Sequence, residues 1–227
     1  MTRHVFVTGG SGYLGRPLIA ELLDRGHRVR ALVRAGSEGR IPRGAEIVVG
    51  NALDSTGWRD QVAPADTFVH LVGTPHPSPK KAAEFQAVDL PSIKAAVAAA
   101  SAGGIRHFVY VSVAHPAPIM HAYIAVRAEG EALLGKQQLN ATILRPWYVL
   151  GEGHRWACAL IPFYAAARLV PATRDGARRL GLVTHAQMLR ALVAAVESPV
   201  TGVRIVEVPE NVSGLAQRPI AVESAAR

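Results

Sequence analysis

Cysteine is nearly absent. Cys158 is the only one in 227 residues, so neither an intramolecular disulfide nor a cysteine-based zinc site can form, and Cys158 itself reads as a small buried hydrophobe. Aromatic residues are scarce as well, 6% against 49% hydrophobic overall. That leaves an aliphatic core of the kind a buried parallel sheet under Ala- and Leu-rich helices requires. No apolar run reaches the roughly 18 residues that a membrane span needs, and the chain opens on a strand without a signal-peptide pattern. A soluble, cytoplasmic protein with no membrane partner is expected. The length suits one α/β domain with a full core, placed at residues 1–209, and periodicity fades into an irregular tail at 210–227.

Acidic residues are in deficit, 17 against 25 Lys and Arg, which gives a formal net charge of +8. Such a balance raises the question of nucleic acid, but no recognition helix or aromatic platform accompanies the basic residues. Arg25, Arg28, Arg30, Arg34, Arg40 and Arg43 crowd one region, and Arg174, Arg178 and Arg179 form a smaller cluster. A phosphate-bearing small molecule would use the first group, and solvated helix faces account for most of the rest. No nucleic-acid partner is expected. His70 and His76 lack a carboxylate or third histidine at ligand spacing, so no metal site is expected.

What the chain does have is HVFVTGGSGYLG at 4–15. Val5, Phe6 and Val7 read as a short strand, Thr8 to Gly12 break it, and Tyr13 onward reads as a helix. At such a turn the first free N–H groups of the helix and its positive dipole end face a ligand phosphate, and a Cβ would obstruct its approach. Gly9, Gly12 and Gly15 have G-x-x-G-x-x-G spacing, a weak signal alone that the flanking strand and helix strengthen. Leu14, Leu18, Ile19, Leu22 and Leu23 form one helical stripe ended by Gly26, and Val29–Val33 gives a parallel second strand. Arg34 follows it, about 20 residues beyond the turn, with Ser37 and Arg40 behind. A cation there suits the 2′-phosphate of NADP where an acid would suit NAD, and no Asp or Glu occurs across 31–37.

Further strands are expected at 46–49, 67–71, 107–112, 140–144 and 203–208, and helices at 85–102 and 122–134. Thr184 with Gln187 forms a capping box at the start of another helix. Pro75–Pro79 reads as a loop over the carboxyl edge of the sheet. Unbroken strand–helix alternation means a doubly wound parallel sheet, a Rossmann fold, with ligands at the carboxyl ends of the strands. Residues 146–209 would add a small substrate-side extension. Tyr123 and Arg127, i and i+4, share a helix face.

TGGSGYLG at 8–15, ALVR at 31–34, GNALD at 50–54, HLVGT at 70–74, FVYVS at 108–112, YIAVR at 123–127 and ILRPWYVLG at 143–151 stand in one order across residues 3–208. In this the chain resembles the short-chain dehydrogenase/reductase superfamily on its extended and atypical side, near epimerase-like proteins, NmrA-like regulators and the complex I accessory subunit of this fold. The resemblance implies an NAD(P) cofactor. It places Thr8, Gly9, Gly10, Ser11, Gly12, Tyr13, Leu14 and Gly15 at the pyrophosphate, Arg34 at the adenosine ribose and Asn51 with Ala52 near adenine. Leu71, Val72 and Gly73 would lie under the cofactor, and Pro146, Trp147 and Val149 by the nicotinamide.

The family's active branches pair a Tyr-x-x-x-Lys with a Ser or Thr at the fifth strand's end. Here Arg127 replaces the lysine; it can supply charge but cannot release a proton at working pH. Ser112 stands one residue before the usual hydroxyl position, which Val113 occupies. His115 and His121 flank the same loop as acid–base candidates. The leading expectation is an NADP-preferring oxidoreductase or epimerase-like enzyme, with NAD possible, acting on a small carbonyl or hydroxyl compound. Tyr123 is its acid/base, Arg127 the electrostatic partner and Ser112 a further candidate. The substrate would rest between the loops 75–81 and 113–122 and an apolar wall from Trp147 to Tyr164. A non-catalytic NAD(P)-binding sensor or assembly protein is the competing expectation. The helices at 85–102 and 122–138 leave a monomer or a homodimer open.

Overall fold

In a computed structural model of the chain, residues 1–150, 176 and 180–207 are described. The order is β1 (His4–Thr8), α1 (Gly15–Asp24), β2 (Arg28–Val33), β3 (Glu46–Val49), β4 (Thr67–His70), α2 (Ala82–Glu84), α3 (Leu90–Ala102) and β5 (His107–Val111). Then come α4 (His121–Lys136), β6 (Ala141–Arg145), β7 (Tyr148–Leu150), β8 (Leu182–Thr184), α5 (His185–Glu197) and β9 (Val203–Glu207).

Seven strands pair in the order β3-β2-β1-β4-β5-β6-β9, every pair parallel. The order reverses between β1 and β4, so their carboxyl ends, Thr8 and His70, flank the crevice where an open sheet of this kind binds ligands. Because side chains alternate along a strand, each face of the sheet has its own core. Val5, Val7, Val29, Val69 and Val109 meet Leu18, Ile19 and Leu22 of α1 and Met188, Leu192 and Val196 of α5. On the other face Phe6, Phe68 and Phe108 stand in register across three strands, with ring centroids 5.2 and 5.0 Å apart, and Trp58 stacks on Phe6 at 5.6 Å. This aromatic row packs against Ile93, Ala96 and Ala100 of α3 and Leu134 of α4.

Local chemistry sets the element ends. Gly26, at φ +79°, follows α1, and its N–H and that of His27 return to Leu23 and Leu22 at 2.9 and 3.0 Å, the paired bonds of a glycine-terminated helix. Thr184 and Gln187 form the capping box on α5 with both reciprocal bonds made. The first helix begins at Gly15 rather than Tyr13, because Tyr13 and Leu14 are spent in the turn. The helix expected at 85–102 begins at Ala82 and carries a π turn, Phe85–Asp89, in which Leu90 N–H reaches back to Phe85 O. Tyr148–Leu150, not expected as a strand, pairs with β8 in a separate two-stranded parallel sheet. Of the stretch 146–209, β9 completes the main sheet and α5 packs on it. Cys158, Arg174, Arg178, Arg179, the substrate wall beyond 150 and the tail at 210–227 lie outside the described residues.

Candidate cofactor cleft and active site

The glycine turn is shaped from within at three of its positions. Gly9 lies at φ +76°, and a Cβ there would stand 2.8 Å from the Leu71 carbonyl carbon. A Cβ on Gly10 would come 2.9 Å from Ile19 Cδ1, and one on Gly15 2.3 Å from Gly9 O, so α1 can press on β1 only without them. At Gly12 a Cβ would meet a single atom, Gly9 O at 3.1 Å, and the rest of its surroundings are open. That opening is a cradle a side chain would fill. No side chain caps α1 and no acid occupies its first turn; Arg16 N–H donates to Gly12 O at 3.3 Å and Pro17 has none, which leaves Gly15 N–H of its first three residues for an anion. The residues present fit a dinucleotide pyrophosphate.

Leu71 N–H donates to Thr8 O at 3.1 Å, which carries Leu71 to Gly73 alongside the glycines. Arg34 is exposed just past β2, with Ser37 N–H turned back to its carbonyl at 3.0 Å. Asn51 is exposed; its Oδ1 accepts from Leu53 N–H at 3.0 Å and its carbonyl from Trp58 Nε1 at 2.9 Å. Tyr13 is tied to α5, its carbonyl accepting from His185 Nε2 at 3.2 Å and its ring 4.5 Å from the imidazole. Trp147 and Val149 pack against the core under α1 and α5, and Pro146 O accepts from Ala114 N–H at 3.0 Å.

Tyr123 and Arg127 do meet. The guanidinium carbon lies 5.1 Å from the centre of the Tyr123 ring, whose other neighbour is Phe85 at 4.9 Å. Arg127 is only 5% exposed. It donates to Val111 O at 3.1 Å, to Val72 O at 3.5 Å and to Asp89 Oδ1 at 2.6 Å. Space for it exists because residue 73 is glycine: a Cβ there would stand 2.2 Å from Nη2. Burial works against its charge, but Tyr123, Tyr110 and Asp89 outweigh burial and raise its pKa, so it stays protonated.

Ser112 is placed elsewhere. Buried at 2% exposure, its hydroxyl donates to Glu131 Oε1 at 2.5 Å, and Arg145 Nε holds the same oxygen at 3.0 Å. His115 Nε2 is 3.6 Å from that carboxylate. His121 instead shares with Tyr123 a cleft of about 360 Å³, whose remaining lining is apolar: Pro79, Phe85, Pro118, Ile119, Met120 and Ala122.

Sequence reasoning missed Asp89, and weighed His70 only as a metal ligand. Asp89, 2% exposed, closes the π turn and accepts from Arg127, from Thr74 N–H at 3.0 Å and from Thr74 Oγ1 at 2.6 Å. Its backbone carbonyl accepts from Ser92 Oγ at 2.8 Å. With that hydroxyl proton committed, His70 Nε2 donates to Ser92 at 3.3 Å, and Nδ1 accepts from Thr8 Oγ1 at 2.8 Å. His70 is therefore neutral, and burial, then the Arg127 charge, push its pKa down to about 3. The available signal was a lone acid in the middle of an Ala-rich apolar helix, which must find a buried partner. Among the described residues no group of three or more metal-ligating side chains occurs.

A parallel open sheet with an anion-ready glycine turn at its switch point defines a dinucleotide-binding protein. The chain belongs to the NAD(P)H-binding family, whose profile matches residues 9–155. It is 29% identical over 200 residues to a ceramide reductase of Caulobacter vibrioides, covering 87% of this chain but 62% of that protein. It is 29% identical over 225 residues to a 3-diazoavenalumate denitrifying reductase of a Streptomyces species, covering 87% and 73% of the two chains. The chain thus spans less than two thirds of the first relative's length. Among solved structures it is similar to the Bordetella bronchiseptica enzyme WbmH in complex with NAD+, with TM-score 0.68, 20% identity and coverage of 91% and 76%. That likeness is one of fold.

Proposed function

We propose that the chain is an NADP(H)-preferring oxidoreductase that interconverts a carbonyl and a hydroxyl group on a small apolar molecule. The observation that carries this reading is the position of Tyr123, which lines an apolar cleft while its ring rests on a buried, permanently charged guanidinium. The glycine turn with α1 holds the pyrophosphate, Leu71 to Gly73 support the cofactor, and Arg34 takes the 2′-phosphate. When bound, the nicotinamide exchanges a hydride with the substrate carbon. Tyr123 gives its phenolic proton to the substrate oxygen in reduction and takes it back in oxidation. Arg127 favours the phenolate left behind, and Asp89 and two carbonyls hold it in place; since it keeps its own proton, it takes no part in transfer. His121 lines the same cleft and is the second acid–base candidate. The cleft walls favour an apolar substrate, and the first relative's name, a reductase of ceramide, agrees with that preference.

The test is a fluorescence titration with NADPH and NADH followed by turnover on quinones, aldehydes and ketones of increasing chain length. Tyr123→Phe should abolish turnover and leave NADPH affinity nearly intact. Turnover that survives in Tyr123→Phe removes the residue from its role. One observation favours a second reading, a non-catalytic nucleotide sensor or assembly protein: Ser112 is bonded to Glu131 rather than sharing the cleft with Tyr123. That reading predicts nucleotide binding with no turnover on any member of the panel.

A further inference from the structure

Asp89 belongs to neither the glycine turn nor the apolar cleft, yet it is bonded to groups that border both. The π turn adds a residue to the helix, with Leu90 N–H reaching Phe85 O, and Pro91 has no N–H to offer the ordinary ladder just beyond. Asp89 closes that turn and is buried. Its two oxygens are divided. Oδ1 takes Arg127 Nη2 at 2.6 Å, and Oδ2 takes the amide and hydroxyl of Thr74 at 3.0 and 2.6 Å. One carboxylate thus ties the loop after β4 to α4 across a guanidinium that also donates to Val111 O, at the end of β5, and underlies the Tyr123 ring. From the backbone of the same residue, Ser92, His70 and Thr8 continue the hydrogen bonds to the foot of the glycine turn.

We propose that Asp89 is a positioning residue for the reaction, which fixes the Tyr123 ring relative to the Val72–Thr74 shelf by holding Arg127 and Thr74 on one carboxylate. The inference rests on the reading of Tyr123 as the acid/base. Arg127 alone does not set this geometry, because its two backbone acceptors lie at 3.1 and 3.5 Å, longer than its bond to Asp89, and its further partner Tyr110 carries no charge. A neutral amide at residue 89 would weaken the charge-assisted contact and let the guanidinium shift under the ring. Misplacement of a reacting group by about 1 Å costs on the order of 10²-fold in rate.

The experiment measures, in wild type and Asp89→Asn, kcat, NADPH affinity and the primary isotope effect on kcat with NADPH deuterated at both C4 positions. A positioning role predicts a fall in kcat of about 10²-fold, a much smaller change in NADPH affinity, and a larger isotope effect, because the hydride step becomes more limiting. Asp89 acting only on stability predicts the opposite pattern: kcat falls with the fraction of folded protein while the isotope effect stays at its wild-type value. That result, or an unchanged kcat, overturns the proposal. Should Asp89→Asn fail to fold, Thr74→Val removes one of the three bonds without leaving Arg127 unpaired, and it should raise the isotope effect in the same direction. A wild type without turnover on any carbonyl compound takes down the Tyr123 reading and this one together. An active wild type with an indifferent Asp89→Asn refutes this one alone.

Discussion

Acid should unfold this protein through its buried histidines, and His70 gives the effect its size. In the folded chain both His70 ring nitrogens are engaged, toward Thr8 and Ser92, and burial followed by the Arg127 charge holds its pKa at about 3. His107 is held at about 4, by burial first and then by Arg204 and Arg3. In the unfolded chain each returns to about 6.5. The folded pKa values are depressed, so the stability they confer is complete above about pH 6.5 and is lost as pH falls toward the folded values. Each group removes about 1.4 kcal/mol per pH unit across that window. At pH 5 the loss is on the order of 2 kcal/mol from His70 and a similar amount from His107, against the roughly 5–15 kcal/mol of an ordinary domain. Urea unfolding at pH 7.5 and pH 5.0 reads the difference directly. His70→Gln puts a neutral amide donor and acceptor in place of the imidazole and loses the titration, so its stability should fall on acidification by about 2 kcal/mol less than wild type. Equal losses in the two proteins would refute the assignment of His70 as a neutral, proton-refusing member of the core.

The remaining predictions separate folding from binding. Gly15→Ala drives a Cβ against Gly9 O and should destabilise the fold by about 1–3 kcal/mol, measured by urea unfolding. Gly12→Ala, whose Cβ meets only Gly9 O at 3.1 Å, should cost less stability than Gly15→Ala while weakening NADPH binding about tenfold or more, about 1.4 kcal/mol, if the pyrophosphate approaches from its open side as proposed. If Arg34 takes the 2′-phosphate as proposed, Arg34→Ala should lower the ratio of NADPH to NADH affinity about tenfold or more; an unchanged ratio in paired fluorescence titrations assigns the 2′-phosphate elsewhere. Thr184→Ala breaks the capping box of α5 and should cost about 1 kcal/mol by the same unfolding assay.

The seven-stranded sheet was legible because its strands are short apolar runs bounded by glycine, proline and polar turns, and the alternation with helices leaves few topologies open. β7 was not. Three residues carry no periodicity, and their partner β8 begins more than thirty residues later along the chain. The π turn escaped for a related reason: the apolar spacing of 85–102 satisfies a regular helix, and only the fate of Asp89 distinguishes the two. At the site, the i,i+4 spacing correctly put Arg127 against Tyr123. Its burial could not be read locally, since it depends on an acid 38 residues earlier and on the missing Cβ of Gly73. Ser112 illustrates the same limit, because its partner Glu131 lies on a separate helix, 19 residues away.

Isothermal titration calorimetry of the purified protein with NADPH tests most directly whether the chain binds a nicotinamide nucleotide at the Thr8–Gly15 turn. Saturable binding of one nucleotide per chain, weakened by Gly12→Ala, is the predicted result. No heat of binding with NADPH, NADP+, NADH or NAD+ would contradict it.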